Sequence, residues 1–328
     1  WHLYLFTLNV RFIRVNRYII AIKFYRIGFV YFYFIFLHIP GIQIIPADLE
    51  KNINMEKKIT YLDRNEYNYG PCPAVGEVLK NFDPNNLCFY TRIYDEGKKS
   101  IFSDYLSSIY NIPEKQIILG YGGEDILKQV VHCFLSGKEK QKTLLIPKFS
   151  VVVIDEAYAS FANKDTSYIK PLLEKFPNLL IVRTLSKFYG LPGLRLGFAF
   201  MGTALTRFLN YSTKYLGYNR LSEELGIAVL KSTDYYQQVA DQMAEDRQMY
   251  MNELNTLEGF KVYQSNANFI LVKYPIELKA TLQAAFKAKG YQIKFMNEPD
   301  INTHMRITLG THRQNVEVIA TIKEVVAQ

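Results

Sequence analysis

Two apolar segments lie so close together that their connection limits the possible topology. Residues 143–147 (TLLIP) and 151–155 (VVVID) each have the composition of a strand, and only residues 148–150 separate them. Parallel strands need a crossover of a dozen or more residues, whereas three residues allow only a hairpin. Unless the chain takes another route, Asp155 then cannot lie at the same end of the sheet as a glycine turn at 120–123.

A lysine surrounded by small and apolar residues lies in the stretch 184–197, TLSKFYGLPGLRLG. Thr184 and Ser186 precede Lys187, and Arg195 follows eight residues later. Burial disfavours the ammonium form, and a neutral lysine amine reacts with carbonyl groups. Hydroxyls and a guanidinium suit phosphate oxygens. The motif therefore indicates an aldehyde that carries a phosphate, which is pyridoxal 5'-phosphate.

Two upstream segments fit the same cofactor. Residues 151–155 predict a buried strand whose C-terminal end bears Asp155 and Tyr158, and α/β sheets bind ligands at such ends. Asp155 is suited to pair with a pyridinium nitrogen, and Tyr158 to hydrogen-bond a phenolic oxygen. Residues 117–135 predict a strand, the glycine turn and a helix, whose free N–H groups would bind an anion.

With these segments in order, and the ending Arg306-Ile-Thr-Leu-Gly, the chain resembles histidinol-phosphate aminotransferases, pyridoxal-phosphate enzymes of fold type I. The resemblance runs from about Met55 to the C-terminus. It implies an α/β fold with a large domain on a mostly parallel sheet and a smaller α+β C-terminal domain. It also implies reversible transamination between L-histidinol phosphate and 2-oxoglutarate in histidine biosynthesis, by a homodimer that acts on small molecules and binds neither nucleic acid nor metal.

The resemblance assigns roles to individual residues, with Lys187 as the catalytic lysine that also binds the cofactor. The other cofactor-binding positions are Gly123, Glu124, Asp155, Tyr158, Thr184, Ser186, Arg195 and Tyr94. Tyr94 is expected to reach the cofactor phosphate of the partner subunit. The substrate-binding positions are Tyr69, Asn268, Arg306 and Lys294. Lys294 stands where the family generally has an arginine, so phosphate recognition there would be less well oriented.

The resemblance also explains the short junction at 147–151. Family members have one or two further strand–helix units there, ~60–80 residues at 30 or more per unit. Those units supply an aromatic ring that stacks on the cofactor and an Asn-Pro-Thr-Gly turn, and neither has a counterpart in this sequence. We therefore expect an internal deletion that weakens folding or cofactor binding, unless a rearranged sheet works. Another small-molecule aminotransferase, a phospho-amino-acid decarboxylase and an inactive truncated product remain as alternatives.

Residues 1–54 differ in composition from the rest of the chain. They hold six Lys or Arg and two acidic residues, and so half of the net charge of +8. Residues 27–47 have no formal charge. We interpret 1–54 as a translated upstream region outside the fold. The alternative is a membrane anchor through 27–47.

The remaining sequence favours a cytoplasmic enzyme of two domains. Three cysteines without metal or redox spacing predict free thiols in a reducing compartment. We predict an N-terminal arm at 55–90, a large cofactor-binding domain at 91–235 that is truncated around 147–151, and a small domain at 236–328.

Overall fold

The computed structural model describes residues 59–88, 96–135, 151–163, 165–205, 208–209 and 217–328, together with the backbone of three earlier strands. The chain divides into two compact units, Trp1–Glu56 and Lys57–Gln328.

The first unit contains an antiparallel meander. Its strands are β1 (Phe6–Val15), β2 (Tyr18–Ile27) and β3 (Val30–Phe34). The predicted anchor at 27–47 thus overlaps β3, while residues 35–47 lie outside the described residues. None of the helices described is long and apolar enough to cross a membrane.

The second unit contains two sheets and the helices that cover them. The strands are β4 (Thr60–Leu62), β5 (Ile117–Tyr121), β6 (Val152–Asp155), β7 (Leu179–Thr184), β8 (Leu196–Met201), β9 (Lys261–Val262), β10 (Phe269–Lys273), β11 (Tyr291–Phe295) and β12 (His304–Thr308). The helices are α1 (Pro73–Asn81), α2 (Ile101–Tyr110), α3 (Gly123–Leu135), α4 (Ala159–Ala162), α5 (Ile169–Lys175), α6 (Arg220–Lys231), α7 (Thr233–Leu254), α8 (Lys279–Lys289) and α9 (His312–Val326). Cys72, Cys88 and Cys133 are free, as predicted.

The first sheet of this unit has the order β5-β8-β7-β6. Strands β6 and β7 are parallel, whereas β8 is antiparallel to both β7 and β5. Three of the four strands therefore share one direction, and β8 makes the sheet mixed. Strand β7 is buried on both faces, because Ile181 and Val182 pack into different apolar clusters. The sheet is thus a rigid support for whatever follows β7.

The position of Asp155 differs from the expectation based on the short junction. Strand β6 runs in the same direction as β5, so Asp155 lies at the same end of the sheet as the glycine turn. Residues 136–150 connect α3 to the start of β6, and they are numerous enough for a parallel crossover. The chain therefore takes a route other than the hairpin, which the expectation had left open; residues 143–147 lie outside the described residues.

Strand β6 is also less buried than its sequence predicts. Among the described strands it pairs only with β7. Val152 and Ile154 are consequently 48% and 39% exposed. The apolar composition of β6 suits a strand with neighbours on both sides.

The second sheet brings the N-terminal arm to the C-terminal part of the chain. Its order is β4-β11-β12-β10-β9, and β4 pairs in parallel with β11. Strand β12 lies between β11 and β10 and is antiparallel to both. Since residues 63–70 leave β4 at this sheet, the arm passes close to β12 and to the residue before β10.

Candidate active site

Lys187 lies just after the C-terminal end of β7 and faces the N-terminal arm. Its Nζ donates to the carbonyl oxygens of Arg64, at 3.0 Å, and Asn65, at 3.4 Å. The loop returns at once to the sheet, because the Leu185 N–H donates to the Leu196 carbonyl at 3.0 Å. The reactive amine is therefore held between a rigid strand and the arm.

The environment of Lys187 favours the neutral amine. Burial lowers the pKa of Lys187 below its ordinary value. The negative charge of Glu66 raises this pKa, whereas the positive charges of Arg306 and Arg195 lower it further. A larger fraction of Lys187 can thus react with a carbonyl group at neutral pH than of an exposed lysine.

Arg195 lies against the glycine turn that ends β5. Gly122 has φ +86° and Arg195 has φ +56°, both in the left-handed region. A Cβ added to Gly122 would lie 2.5 Å from Arg195 Nη2, and one added to Gly197 would lie 2.3 Å from the Gly122 carbonyl carbon. The close approach of β5 and β8 requires glycine here, and it brings a guanidinium to the first turn of α3.

Two hydroxyl groups lie beside the same turn. The Ser186 N–H donates to Thr184 Oγ1 at 3.1 Å, and the Thr184 hydroxyl lies 2.9 Å from Ser186 Oγ. A Cβ on Gly123 would be 4.0 Å from Thr184 Cβ. The hydroxyls, the start of α3 and Arg195 together form an anion cradle, in which N–H groups and a guanidinium converge.

The side chains of three other predicted cofactor residues are not part of the described anion cradle. The Glu124 side chain is exposed and pairs with Lys128 at 2.6 Å, so only its backbone N–H can serve the cradle. Asp155 is exposed, accepts from the Ala157 N–H at 3.0 Å, and makes no described contact with Lys187. Tyr94 lies outside the described residues.

Arg306 lies on the side of the lysine that faces the second sheet. Its Nη2 donates to the Asp63 carbonyl oxygen at 2.6 Å, and its guanidinium lies 5.7 Å from the centre of the Phe269 ring. Its Nε is buried and has no hydrogen-bond partner among the described residues. Lys294 is directly opposite Arg306 across β11 and β12 and is exposed. Directly opposite residues share one face of a sheet, so two cations lie side by side.

Asn268 and Tyr69 also reach this region. Asn268 is fully buried and its Nδ2 donates to the Asn65 carbonyl at 3.1 Å, while its Oδ1 has no partner in the part of the chain that the structure describes. The Tyr69 hydroxyl is likewise buried without a partner. Burial raises the pKa of this phenol, and the charge of Asp246 raises it further. Asn268 thus holds the arm, and both residues offer unsatisfied polar atoms to a ligand.

From the sequence, Asn65 matches the family's N-terminal segment that closes over the active site, but it was given no individual role. In the structure it contacts Tyr158 and Thr308 as well as the residues already named. Asn65 has φ +55°, a conformation that asparagine tolerates better than most residues. An asparagine before a turn is a weak local signal for this left-handed conformation. Thr308, 243 positions away, gave none.

The profile of the class I and II aminotransferases matches residues 138–322. The chain belongs to this family. Histidinol-phosphate aminotransferase from Bacillus subtilis is 33% identical over 355 positions, covering 87% of this chain and 96% of that protein. The same enzyme from Ruminiclostridium cellulolyticum is 36% identical over 167 residues, or 51% of this chain and 45% of that protein.

Solved structures show the same fold. Histidinol-phosphate aminotransferase from Sinorhizobium meliloti, solved with pyridoxal-5'-phosphate, superposes with a TM-score of 0.68 at 17% identity, covering 88% of this chain and 99% of that one. The enzyme from Clostridium acetobutylicum superposes with a TM-score of 0.64 at 16% identity, covering 82% of this chain and 99% of that one. These structures show the fold, and the family profile and the Bacillus subtilis relative show the type: the chain is a pyridoxal-phosphate aminotransferase of fold type I that is similar to histidinol-phosphate aminotransferases.

The Bacillus subtilis match also gives the number of positions of that relative that have no counterpart in this chain. Its 355 positions take in 87% of this chain, about 285 residues, so about 70 positions of that relative have no counterpart here. This is the size that the resemblance predicts for the lost strand–helix units.

The residues present fit pyridoxal phosphate. The cradle at Gly122 and Arg195 suits the phosphate, and Lys187 supplies the amine. The unpartnered polar atoms of Arg306, Asn268 and Tyr69 suit a polar ligand between the two sheets. The described residues contain no group of side chains that could hold a metal ion.

Proposed function

We propose that this chain binds pyridoxal 5'-phosphate through Lys187 and transfers an amino group between L-histidinol phosphate and 2-oxoglutarate. The observation that supports this most is the position of Lys187, whose lowered pKa coincides with a neighbouring anion cradle on one side and Arg306 on the other. The names of the similar proteins supply the substrate.

The cradle would hold the cofactor phosphate. The N–H groups of Gly123 and Glu124 open α3, where the helix dipole favours an anion. Thr184 and Ser186 would donate hydroxyl hydrogens, and Arg195 would add a charge-assisted bond. The cofactor, when bound, supplies an electron sink for the bonds of the substrate α-carbon.

Lys187 would move the proton. Its Nζ, whose pKa is lowered by burial, would accept the substrate α-proton and deliver it to the cofactor carbon C4'. Tyr158 and Asp155 would set the charge of the ring, Tyr158 at the phenolic oxygen and Asp155 at the pyridinium nitrogen. Asp155 lies at the correct end of the sheet but is exposed, so water would weaken its effect.

The pair of cations on the second sheet favours an anionic substrate. Like charges directly opposite each other destabilise a sheet, and a bound phosphate would offset that cost between Arg306 and Lys294. Tyr69 and Asn268 would add hydrogen bonds to polar groups of the substrate. This arrangement supports an amino phosphate in preference to an uncharged amine.

The test is an absorbance spectrum of the purified chain with pyridoxal phosphate, before and after borohydride, followed by peptide mapping. We expect a band and a reduced adduct on Lys187. Lys187→Ala should lose both, whereas Lys115→Ala, at an exposed lysine, should keep both. A wild-type chain that is folded but gives no band would overturn the proposal and indicate an inactive truncated product.

Substrate assays separate the remaining alternatives. Glutamate formation from histidinol phosphate and 2-oxoglutarate would support the proposal. Release of carbon dioxide from threonine phosphate, without glutamate formation, would indicate a decarboxylase. Amino transfer from other amines but not from histidinol phosphate would indicate a different aminotransferase.

We further propose a homodimer, as the resemblance implies, with Tyr94 reaching the cofactor phosphate of the partner subunit. Three free thiols are in keeping with the cytoplasm. Sedimentation should give a dimer mass. Tyr94→Phe should weaken cofactor binding, and a monomer with full cofactor affinity would contradict this proposal.

A further inference from the structure

Asn65 joins the N-terminal arm to four other parts of the active site. Its N–H donates to Thr308 Oγ1 at 3.0 Å, and its Oδ1 accepts from the same hydroxyl at 3.3 Å. Its Nδ2 donates to the Tyr158 hydroxyl at 2.9 Å. Its carbonyl accepts from Asn268 at 3.1 Å and from Lys187 at 3.4 Å. Asn65 is only 4% exposed, so these bonds replace its contacts with water.

The bonds to Thr308 fix the orientation of the Asn65 amide. Thr308 Oγ1 accepts a hydrogen from the Asn65 N–H, and its own hydrogen points to Asn65 Oδ1. An acceptor oxygen must therefore face Thr308, and the Nδ2 group must face Tyr158. The hydrogen-bond pattern settles an orientation that atom positions alone leave ambiguous.

This orientation determines the direction in which Tyr158 donates. Because Asn65 Nδ2 donates to the phenol oxygen, the O–H hydrogen of Tyr158 is not used in that bond and points elsewhere. A phenol that accepts a hydrogen bond is also a stronger donor, since hydrogen bonds in a chain polarise one another. The Phe269 ring packs edge-on against Tyr158 at 5.5 Å and limits its rotation.

We propose that Asn65 is a positioning residue that holds Tyr158 as a hydrogen-bond donor to the phenolic oxygen of the cofactor. This role rests on the proposed function. A donor at that oxygen draws off negative charge, which otherwise helps the nearby lysine-bound nitrogen to keep its proton. Loss of the donor should therefore raise the pH at which the absorption of the lysine-bound cofactor changes.

The test is an absorbance titration of the cofactor-loaded chain. Asn65→Asp keeps the shape but puts an acceptor opposite Tyr158, which must then donate to it and not to the cofactor. We expect the midpoint to rise by about one pH unit. Tyr158→Phe should raise it similarly. The control is Asn68→Asp, the same change three residues along the arm. There the amide donates to the Tyr61 carbonyl at 3.3 Å and makes no described hydrogen bond to Tyr158, so the midpoint should stay unchanged.

The double variant distinguishes positioning from a direct effect of charge. With Tyr158→Phe already present, Asn65→Asp should produce no further shift, because the two act through one bond. A further shift in the double variant would overturn the role, as would an unchanged midpoint in Asn65→Asp alone.

A second measurement needs no cofactor. In thermal unfolding of the cofactor-free variants, the stability lost in the double variant should differ from the sum of the losses in Asn65→Ala and Tyr158→Phe. Additive losses of stability would contradict the hydrogen bond between Asn65 and Tyr158 on which the proposed role depends. A wild type that gives no band overturns the proposed function together with this role, whereas a band without the expected shift overturns this role alone.

Discussion

Glu156 and Arg183 form an ion pair of 2.8 Å in which each side chain is at least nine-tenths buried. Glu156 follows β6 and Arg183 belongs to β7, so the pair fastens the edge strand to the interior of the sheet. The Tyr168 hydroxyl donates to Glu156 Oε1 at 2.7 Å, and Arg183 Nη1 donates to the Tyr110 hydroxyl at 3.3 Å. These polar side chains satisfy one another's hydrogen bonds, and they fix β6, the strand that bears Asp155, to β7.

Removing one member of this pair should destabilise the chain strongly. Glu156→Ala leaves a buried guanidinium without its countercharge, and we expect a loss of about 3–5 kcal/mol in the free energy of unfolding, measured by urea. The double variant Glu156→Leu with Arg183→Met should recover much of it, because neither charge then remains. A loss below about 1 kcal/mol in Glu156→Ala would show that water reaches the pair.

The glycine contact between β5 and β8 gives a second prediction. In Gly197→Ala the new Cβ would meet the backbone of Gly122 and Gly123, which cannot rotate away. We expect a loss of about 3 kcal/mol or more and weaker cofactor binding. Gly76→Ala, in α1 with no atom near the new Cβ, should instead stabilise by about 0.5–1 kcal/mol. Equal effects in the two variants would contradict this account.

Local patterns were sufficient to predict the elements that hold the cofactor cradle. Strand β5, the glycine turn and α3 follow each other directly in sequence, as predicted for residues 117–135. Apolar runs bounded by glycine therefore determined them. The sequence could not show which strand lies beside β6, because the partner of a strand depends on distant residues. That is why the burial of β6 was predicted wrongly.

The contacts of the N-terminal arm could not be predicted from local sequence either, because they too depend on residues that are distant in sequence. Asn65 meets Thr308 only because β4 pairs with β11 and β11 with β12. Tyr158 and Asn268 reach Asn65 from two different sheets. The residue pattern of the arm predicts only a loop. The role of Asn65 follows from the relative position of the two sheets, which the sequence does not give.

The charges around Lys187 should shift its reactivity in opposite directions. Arg306 lowers the pKa of Lys187 and Glu66 raises it. In the cofactor-free chain, the pH at which reductive methylation of Lys187 is half-maximal should rise in Arg306→Gln and fall in Glu66→Gln. Mass spectrometry of the Lys187 peptide measures both. Shifts of the same sign would mean that the variants act through structure and not through charge.

Glu223 should make stability depend on pH near neutrality. It is 2% exposed, and burial raises the pKa of its carboxyl from 4.5 to about 7, although hydrogen bonds from Tyr218 N–H, Ser100 and Ile101 oppose the shift. Between these pH values the folded chain keeps a proton that the unfolded chain has released. The free energy of unfolding should therefore fall as pH rises through this window, by about 3 kcal/mol in total.

The measurement is urea unfolding of wild type and Glu223→Gln at pH 5 and pH 8. The glutamine can still accept from the Tyr218 N–H but does not titrate, so its unfolding free energy should fall less between the two pH values. Glu224→Gln makes the same change at the next, less buried residue and should follow the wild type. If wild type and Glu223→Gln lost equal stability, water or a rotation of the side chain would be relieving the buried charge.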